Sequence, residues 1–173
     1  DSAKTVNVLD KLINDEENTI NLEKGKESKY FSLEDKITFN NKASIGFIKD
    51  ASKKPTKKSD FAINSAASTL AHELIHAYND IFDEVNFVLR TLDTSTRGKI
   101  FLAGTGLDLS FSDAEEEYTT TLTNQVNDKL KEPRRTNYGG FYIMAKGNSV
   151  IKPIDVNKIT PEDISGLGKK NKK

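Results

Sequence analysis

Two histidines stand four residues apart in this sequence, His72 and His76, and Glu73 directly follows the first; the chain contains no other histidine. Side chains four residues apart lie one above the other on a helix, so both imidazoles can bind one metal ion. Glu73 is offset around the helix, which lets its carboxylate reach a water molecule rather than the ion. The alternative is a chance pair of histidines in a core or on a surface. The spacing favours a hydrolytic zinc site in which Glu73 is the general base.

Catalytic zinc is typically held by three protein ligands, and this chain has neither cysteine nor a third histidine. The third ligand must therefore be a carboxylate. A run of three acidic residues, Glu115, Glu116 and Glu117, supplies candidates. Ser112 and Glu115 have the spacing of a capping box, which assigns Glu115 to a helix start and leaves Glu116 or Glu117 for the metal. The alternative is that these acids only stabilise the positive end of the helix dipole.

The histidines lie within a predicted helix that starts after Ser59 or Asp60, either of which can cap the first turn. Apolar or small residues then recur at helical spacing; they are Ile63, Ala66, Ala67, Leu70, Ala71, Leu74, Ala77, Tyr78 and Ile81. Asn79 and Asp80 follow His76 by one turn, so they can orient a ligand histidine or end the helix.

A second long helix, which carries the acidic run, is predicted to start near Asp113 and to end by Pro133. Its apolar residues at helical spacing are Tyr118, Leu122, Val126 and Leu130. If this helix packs against the first, one carboxylate comes to the two histidines. The packing of these two helices would therefore form the metal site.

The remaining patterns predict shorter elements around these helices. Residues 3–17 form an amphipathic helix, residues 18–48 a small antiparallel sheet, and residues 49–58 a lysine-rich loop. Residues 85–92 fit a helix or a strand, and residues 99–111 fit a hairpin. The apolar stripe of the first helix consists of Val6, Leu9, Leu12 and Ile13. Helices and strands that occupy separate parts of the chain indicate the α+β class.

Composition narrows the possible functions. Lys+Arg and Asp+Glu are equal at 26 each, so net charge does not favour nucleic-acid binding. No segment approaches the roughly 20 apolar residues of a membrane span, so we expect no membrane insertion. At 173 residues and 35% hydrophobic content, we expect one domain at residues 1–165, a flexible basic tail at residues 166–173 and a monomer.

Three motifs together resemble the secreted-effector metallopeptidases, a gluzincin-type family found in bacterial type III effectors and in toxin domains of type VI and Rhs-like proteins. The motifs are HELIHA at 72–77, E-E-x-T at 116–119 and R-T-x-Y at 135–138. Asn124 lies on the predicted Glu-bearing helix, as in that family, whereas Thr123 replaces an acidic residue. The clostridial neurotoxin light chains are more distantly similar, and the resemblance covers roughly residues 65–140.

The resemblance implies a zincin-like fold and a Zn²⁺-dependent endopeptidase. It implies that zinc binds His72, His76 and the second Glu of the pair, Glu117, although alignment through the helix asparagine favours Glu116. Arg135 and Tyr138 are then expected to donate hydrogen bonds to the oxyanion. Without the resemblance, a surface ion pair and a packed ring would explain these two side chains.

The same resemblance implies a biological setting. We expect secretion by a bacterium, delivery into a target cell and cleavage of a specific intracellular protein there. One alternative is a catalytically inactive, zinc-stabilised binding module that captures a host protein, although such a site has no use for Glu73. Another is a zinc amidase that acts on cell-wall peptides.

Overall fold

The computed structural model of the chain describes residue 8 and residues 10–144, with the backbone alone for residues 141–144. In this part of the chain, strands and helices form a mixed α+β fold, which confirms the predicted class. The strands are β1 (Asn21–Lys24), β2 (Lys29–Phe31), β3 (Lys36–Phe39), β4 (Ala43–Ile48), β5 (Phe61–Asn64) and β6 (Gly140–Met144); the helices are α1 (Ala66–Phe82), α2 (Glu84–Leu92) and α3 (Ala114–Leu130). None of these helices is long and apolar enough to cross a bilayer.

The described strands form two three-stranded sheets rather than the single antiparallel sheet that the sequence predicts. In the first sheet, β3 lies between β1 and β2, and β1 pairs with β3 in parallel. In the second, β4 lies between β5 and β6 with antiparallel pairing throughout. The prediction failed because β6 comes from far along the chain, and local patterns do not reveal such a pairing.

Helix α1 starts later than predicted. Residues 61–64, taken as part of the helix, form β5, in which every residue is buried. A short, fully buried strand lacks polar alternation and cannot be told from a helix by its pattern. Ser65, rather than Ser59 or Asp60, is the N-cap, and its hydroxyl accepts the Ser68 N–H at 3.3 Å.

The start of α3 shows how a capping motif can mislead. Asp113, not Ser112, is the N-cap, and its carboxylate accepts the N–H of Glu116 at 3.0 Å. Ser112 instead donates to Asp113. The predicted capping box is therefore wrong, and the Glu115 side chain does not cap the helix. The predicted end of the helix before Pro133 is confirmed.

Helix α3 buries a polar face rather than the predicted apolar stripe. Tyr118 is 41% exposed, whereas five polar residues are buried, namely Glu115, Thr119, Thr120, Thr123 and Asn127. This face packs against α1, which also contributes buried polar side chains. Polar groups buried between helices must satisfy one another by hydrogen bonds, and this requirement fixes the relative position of α1 and α3.

Apolar packing holds α1 on its other sides. Ala77 packs with Tyr30 and Ile37 of the first sheet. A second cluster beside β4 and β5 contains Ile48, Phe61, Ile63, Leu102 and Leu109. The last two belong to the predicted hairpin, which is reduced to a single bridge between Phe101 and Asp108.

Three further predictions concern the segment 85–92, the first helix and the basic tail. The ambiguous segment 85–92 is helical, as α2. Residues 10–13 are helical, with Ile13 76% exposed, while Val6 and Leu9 lie outside the described residues. The basic tail at 166–173 also lies outside them, so the domain limits stay a prediction.

Candidate metal centre

Helix α1 brings His72 and His76 together, and α3 places Glu116 beside them. The Nε2 atoms of the two histidines are 3.1 Å apart. The Oε2 atom of Glu116 lies 3.1 Å from His72 Nε2 and 3.5 Å from His76 Nε2. A tetrahedral zinc ion with ligand bonds of about 2.0–2.1 Å separates neighbouring ligand atoms by about 3.4 Å. These two nitrogens and the Glu116 oxygen form a triangle with the size of one face of such a tetrahedron. The three residues can therefore hold a metal ion.

The contacts of the Nδ1 atoms of His72 and His76 indicate where the ring protons lie. His76 Nδ1 is 3.2 Å from the Glu115 carboxylate, which has no proton to donate when it is ionised. His72 Nδ1 is 3.3 Å from the Thr123 hydroxyl, and that hydroxyl donates its own proton to the Thr119 carbonyl at 2.8 Å. Both rings can therefore donate from Nδ1, which leaves Nε2 to bind a metal ion.

Three atoms that can each give a lone pair to a metal ion thus face one another, an arrangement that positive charge among them, from a metal ion or a proton, stabilises. The charges support this interpretation. Burial alone would lower the pKa of His76, but hydrogen bonds that it donates to the Glu115 and Glu116 carboxylates raise it to about 10. Burial alone would raise the pKa of Glu116, but the two histidines hold it well below its usual value. The site therefore attracts positive charge.

Glu115 contacts His76 on the side of the ring that faces away from the metal position. It is only 2% exposed, and besides His76 it accepts hydrogen bonds from Asn79 at 2.7 Å and from Thr119 at 2.9 Å. Arg90 of α2 reaches its other oxygen. Burial would raise the pKa of Glu115, but His76 and Arg90 lower it, so the carboxylate is charged.

The structure places the two carboxylate candidates on different faces of α3. Glu116 points to the histidines, whereas Glu117 is exposed and does not belong to the cluster. Helix α3 turns Glu115 and Glu116 toward α1, and Glu117, about 100° further round the helix, points away from it. Our preference for Glu117, which came from the resemblance to the neurotoxins, therefore moves to the alternative, Glu116.

Glu73, the expected general base, is buried beside the first sheet. It is 8% exposed, and one of its oxygens accepts the backbone N–H of Tyr30 at 2.8 Å. Its negative charge contributes to the raised pKa of both His76 and Tyr138, so its carboxylate lies within electrostatic reach of both. Strand β2 therefore fixes the direction in which Glu73 points.

The structure also brings Tyr138 to the cluster. Although 37% of this residue is exposed, burial of its hydroxyl and the charge of Glu116 raise its pKa well above the usual value. Arg135 lies with its guanidinium 4.9 Å from the Tyr138 ring centre and donates to the carbonyls of Asn137 and Tyr138. Asn124 binds both the N–H and the carbonyl of Arg135, at 2.7 and 2.8 Å. The predicted Arg-x-x-Tyr pair is thus anchored to α3.

Some residues of this arrangement had no predicted role at the site. Thr119 and Thr123 lie three and seven positions after Glu116, a helical spacing that could have suggested them once Glu116 was chosen. Asn79 was suggested as a partner of a ligand histidine, and it acts through Glu115. Arg90 carries no local signal, because its contact with Glu115 depends on how α2 and α3 pack.

A small cavity of about 20 Å³ lies between α1 and α3 beside His72. It has room for about one water molecule. Thr120 lines it, and the hydroxyl of this residue is buried with no hydrogen-bond partner among the described residues.

Comparisons of this chain with protein-family models, with curated proteins and with solved structures found no match.

Proposed function

We propose that this protein is a zinc-dependent endopeptidase with a zincin-like fold. The observation that carries the proposal is the triangle of ligand atoms from His72, His76 and Glu116, with Glu73 next to the first ligand. Two imidazoles and one carboxylate form a ligand set typical of catalytic zinc, which keeps a fourth position open. A structural zinc site would instead fill that position with a fourth protein ligand.

Zinc is the metal that this donor set favours, because it combines nitrogen and carboxylate ligands at tetrahedral distances. When bound, zinc lowers the pKa of a water molecule and polarises the carbonyl group to be cleaved. The residues described above then have separate tasks. Glu115 and Thr123 hold the two imidazoles in the orientation that presents Nε2.

Glu73 takes the proton of the attacking water and later delivers it to the leaving amine. Its fixed position supports this role, because the Tyr30 N–H holds one carboxylate oxygen and limits rotation. Removal of that carboxylate would leave zinc binding intact and stop proton transfer.

Tyr138 donates a hydrogen bond to the oxyanion that forms on the substrate. The raised pKa of its hydroxyl keeps the proton in place at neutral pH, as a donor requires. Arg135 holds the turn that carries Tyr138 and adds positive charge beside it.

The biological setting rests on the sequence resemblance alone. We propose a bacterial effector or toxin domain that is secreted, enters a target cell and cleaves an intracellular protein as a monomer. The buried Glu73, whose charge acts on His76, supports catalysis over simple capture of a host protein.

Digestion of a target-cell proteome tests the proposal, with new amino termini identified by labelling. The parent protein, Glu73→Gln and a matched surface variant, Glu23→Gln, are compared with and without a chelator. We expect specific new termini from the parent and from Glu23→Gln, none with chelator, and none from Glu73→Gln, which retains its zinc. Cleavage by Glu73→Gln at the parental rate would reject the mechanism. Zinc binding without cleavage by any form would favour the binding module, and cleavage of purified peptidoglycan would favour the amidase.

A further inference from the structure

Arg90 lies on α2, outside the two helices that supply the ligands, yet its guanidinium reaches the metal centre. Its Nε atom donates to Oε2 of Glu115, and its Nη1 atom donates to Asp83 at 3.0 Å. The guanidinium also lies 4.3 Å from the ring centre of Tyr118. The side chain is 19% exposed, so solvent screens these contacts only in part.

We propose that Arg90 is a positioning residue of the metal centre, which acts through Glu115 on the imidazole of His76. This inference rests on the proposed metal site, but not on the proposed protease activity. The order of contacts is Arg90 to Glu115, Glu115 to His76 Nδ1, and His76 Nε2 to the metal position.

The two oxygens of Glu115 have different partners, and this division supports the proposal. Oε1 faces His76, Asn79 and Thr119, whereas Oε2 faces Arg90. Rotation of the carboxylate would break contacts on both sides. Arg90 therefore fixes the plane of the carboxylate that orients His76, and such outer partners typically change metal affinity about 10–100-fold.

Arg90 is also a cationic partner of Glu115, and unlike His76 it keeps its charge when the imidazole binds a metal ion. A carboxylate buried to this degree is costly without a charged partner. Asn79 and Thr119 supply neutral hydrogen bonds only. If Arg90 were removed, His76 would have to compensate the charge of Glu115. The imidazole would then be held in its protonated form, whereas metal binding requires the neutral form.

Arg90 connects α2 to the metal centre through Glu115. Residues with apolar side chains on this helix are largely exposed, namely Val85, Val88, Leu89 and Leu92. Phe87 packs against the core cluster of Ala77. Arg90 and Phe87 therefore both attach α2 to the rest of the molecule, and Asp83 binds Arg90 at the turn between α1 and α2.

The rival interpretation is an ion pair that stabilises the fold without influencing the metal. The two interpretations differ in a double-mutant cycle. If Arg90 acts through Glu115, its loss has little further effect once Glu115 is replaced. If it acts independently, the two losses add.

The experiment measures zinc dissociation constants by competition with a chelator for the parent, Arg90→Gln, Glu115→Gln and the double variant. We expect Arg90→Gln to weaken zinc binding about 10–100-fold. We expect the double variant to bind zinc within about twofold of Glu115→Gln. Arg134→Gln is the matched control, because Arg134 pairs with Asp128 on the surface and should bind zinc like the parent.

Parental zinc affinity in Arg90→Gln, or full additivity in the double variant, would overturn the proposal while leaving the metal site in place. A parent protein that does not bind zinc would overturn both. If Arg90→Gln does not fold, Arg90→Lys serves instead, because a lysine keeps the charge but cannot span Glu115 and Asp83 with one planar group. Parental zinc affinity in Arg90→Lys would then refute the proposal.

Discussion

Thr123→Val tests how the protein orients His72. Valine keeps the shape of threonine and removes its hydroxyl. In the parent, that hydroxyl accepts the His72 Nδ1 proton at 3.3 Å and donates to the Thr119 carbonyl at 2.8 Å. The variant therefore leaves the ring proton without its partner when Nε2 binds a metal. In the metal-free protein, His72 can move its proton to the other nitrogen, so the cost falls mainly on the bound state.

The expected loss follows from the burial of His72. A fully buried donor without a partner costs about 1–3 kcal/mol. The His72 side chain is 13% exposed, which lets water recover part of this loss. We therefore expect the lower half of that range, about 1–2 kcal/mol, which corresponds to zinc binding about 5- to 30-fold weaker.

Competition between the protein and a chromogenic chelator measures this difference directly. Thr121→Val is the control, because Thr121 makes the same kind of bond to a helix carbonyl at 2.9 Å but is exposed. We expect the control to bind zinc like the parent. Equal affinities in Thr123→Val and the parent would refute the proton assignment at His72.

Three further predictions follow from the same geometry. Glu116→Gln should lose stoichiometric zinc and Glu117→Gln should keep it, as measured by elemental analysis; the reverse result would restore Glu117 as the ligand. Tyr138→Phe should lower kcat about 100-fold while KM and zinc content stay unchanged, because an oxyanion donor acts only in the transition state; an increase in KM alone would assign Tyr138 to substrate binding. Zinc at a thousand times its Kd should stabilise the folded protein by about 4 kcal/mol, visible as a higher melting temperature that chelator reverses, and an unchanged melting temperature would argue against a folded-state site.

Residues close together in the sequence were the most predictable part of the site. His72, Glu73 and His76 define their own geometry once they lie on a helix, and α1 places them as expected. The acidic run marks the start of α3 correctly. The choice among its members was not predictable, because a local capping rule assigned Glu115 to Ser112 while the tertiary structure pairs Glu115 with His76.

The polar packing between the helices explains most of the remaining differences. An apolar stripe normally marks the buried face of a helix. Helix α3 instead buries Thr119, Thr123 and Asn127, because these side chains complete hydrogen bonds to α1 and the site. Pairings across long sequence distances, such as β4 with β6 and Arg90 with Glu115, leave no local pattern to find.

The location of a bound zinc ion tests the central claim most directly. Crystals of the zinc-loaded protein, measured above and below the zinc absorption edge, give an anomalous map that identifies the metal and its position. The account predicts one strong peak about 2.0–2.2 Å from His72 Nε2, His76 Nε2 and a Glu116 carboxylate oxygen. Zinc-loaded crystals with no peak there, or with the zinc bound elsewhere in the molecule, would contradict it.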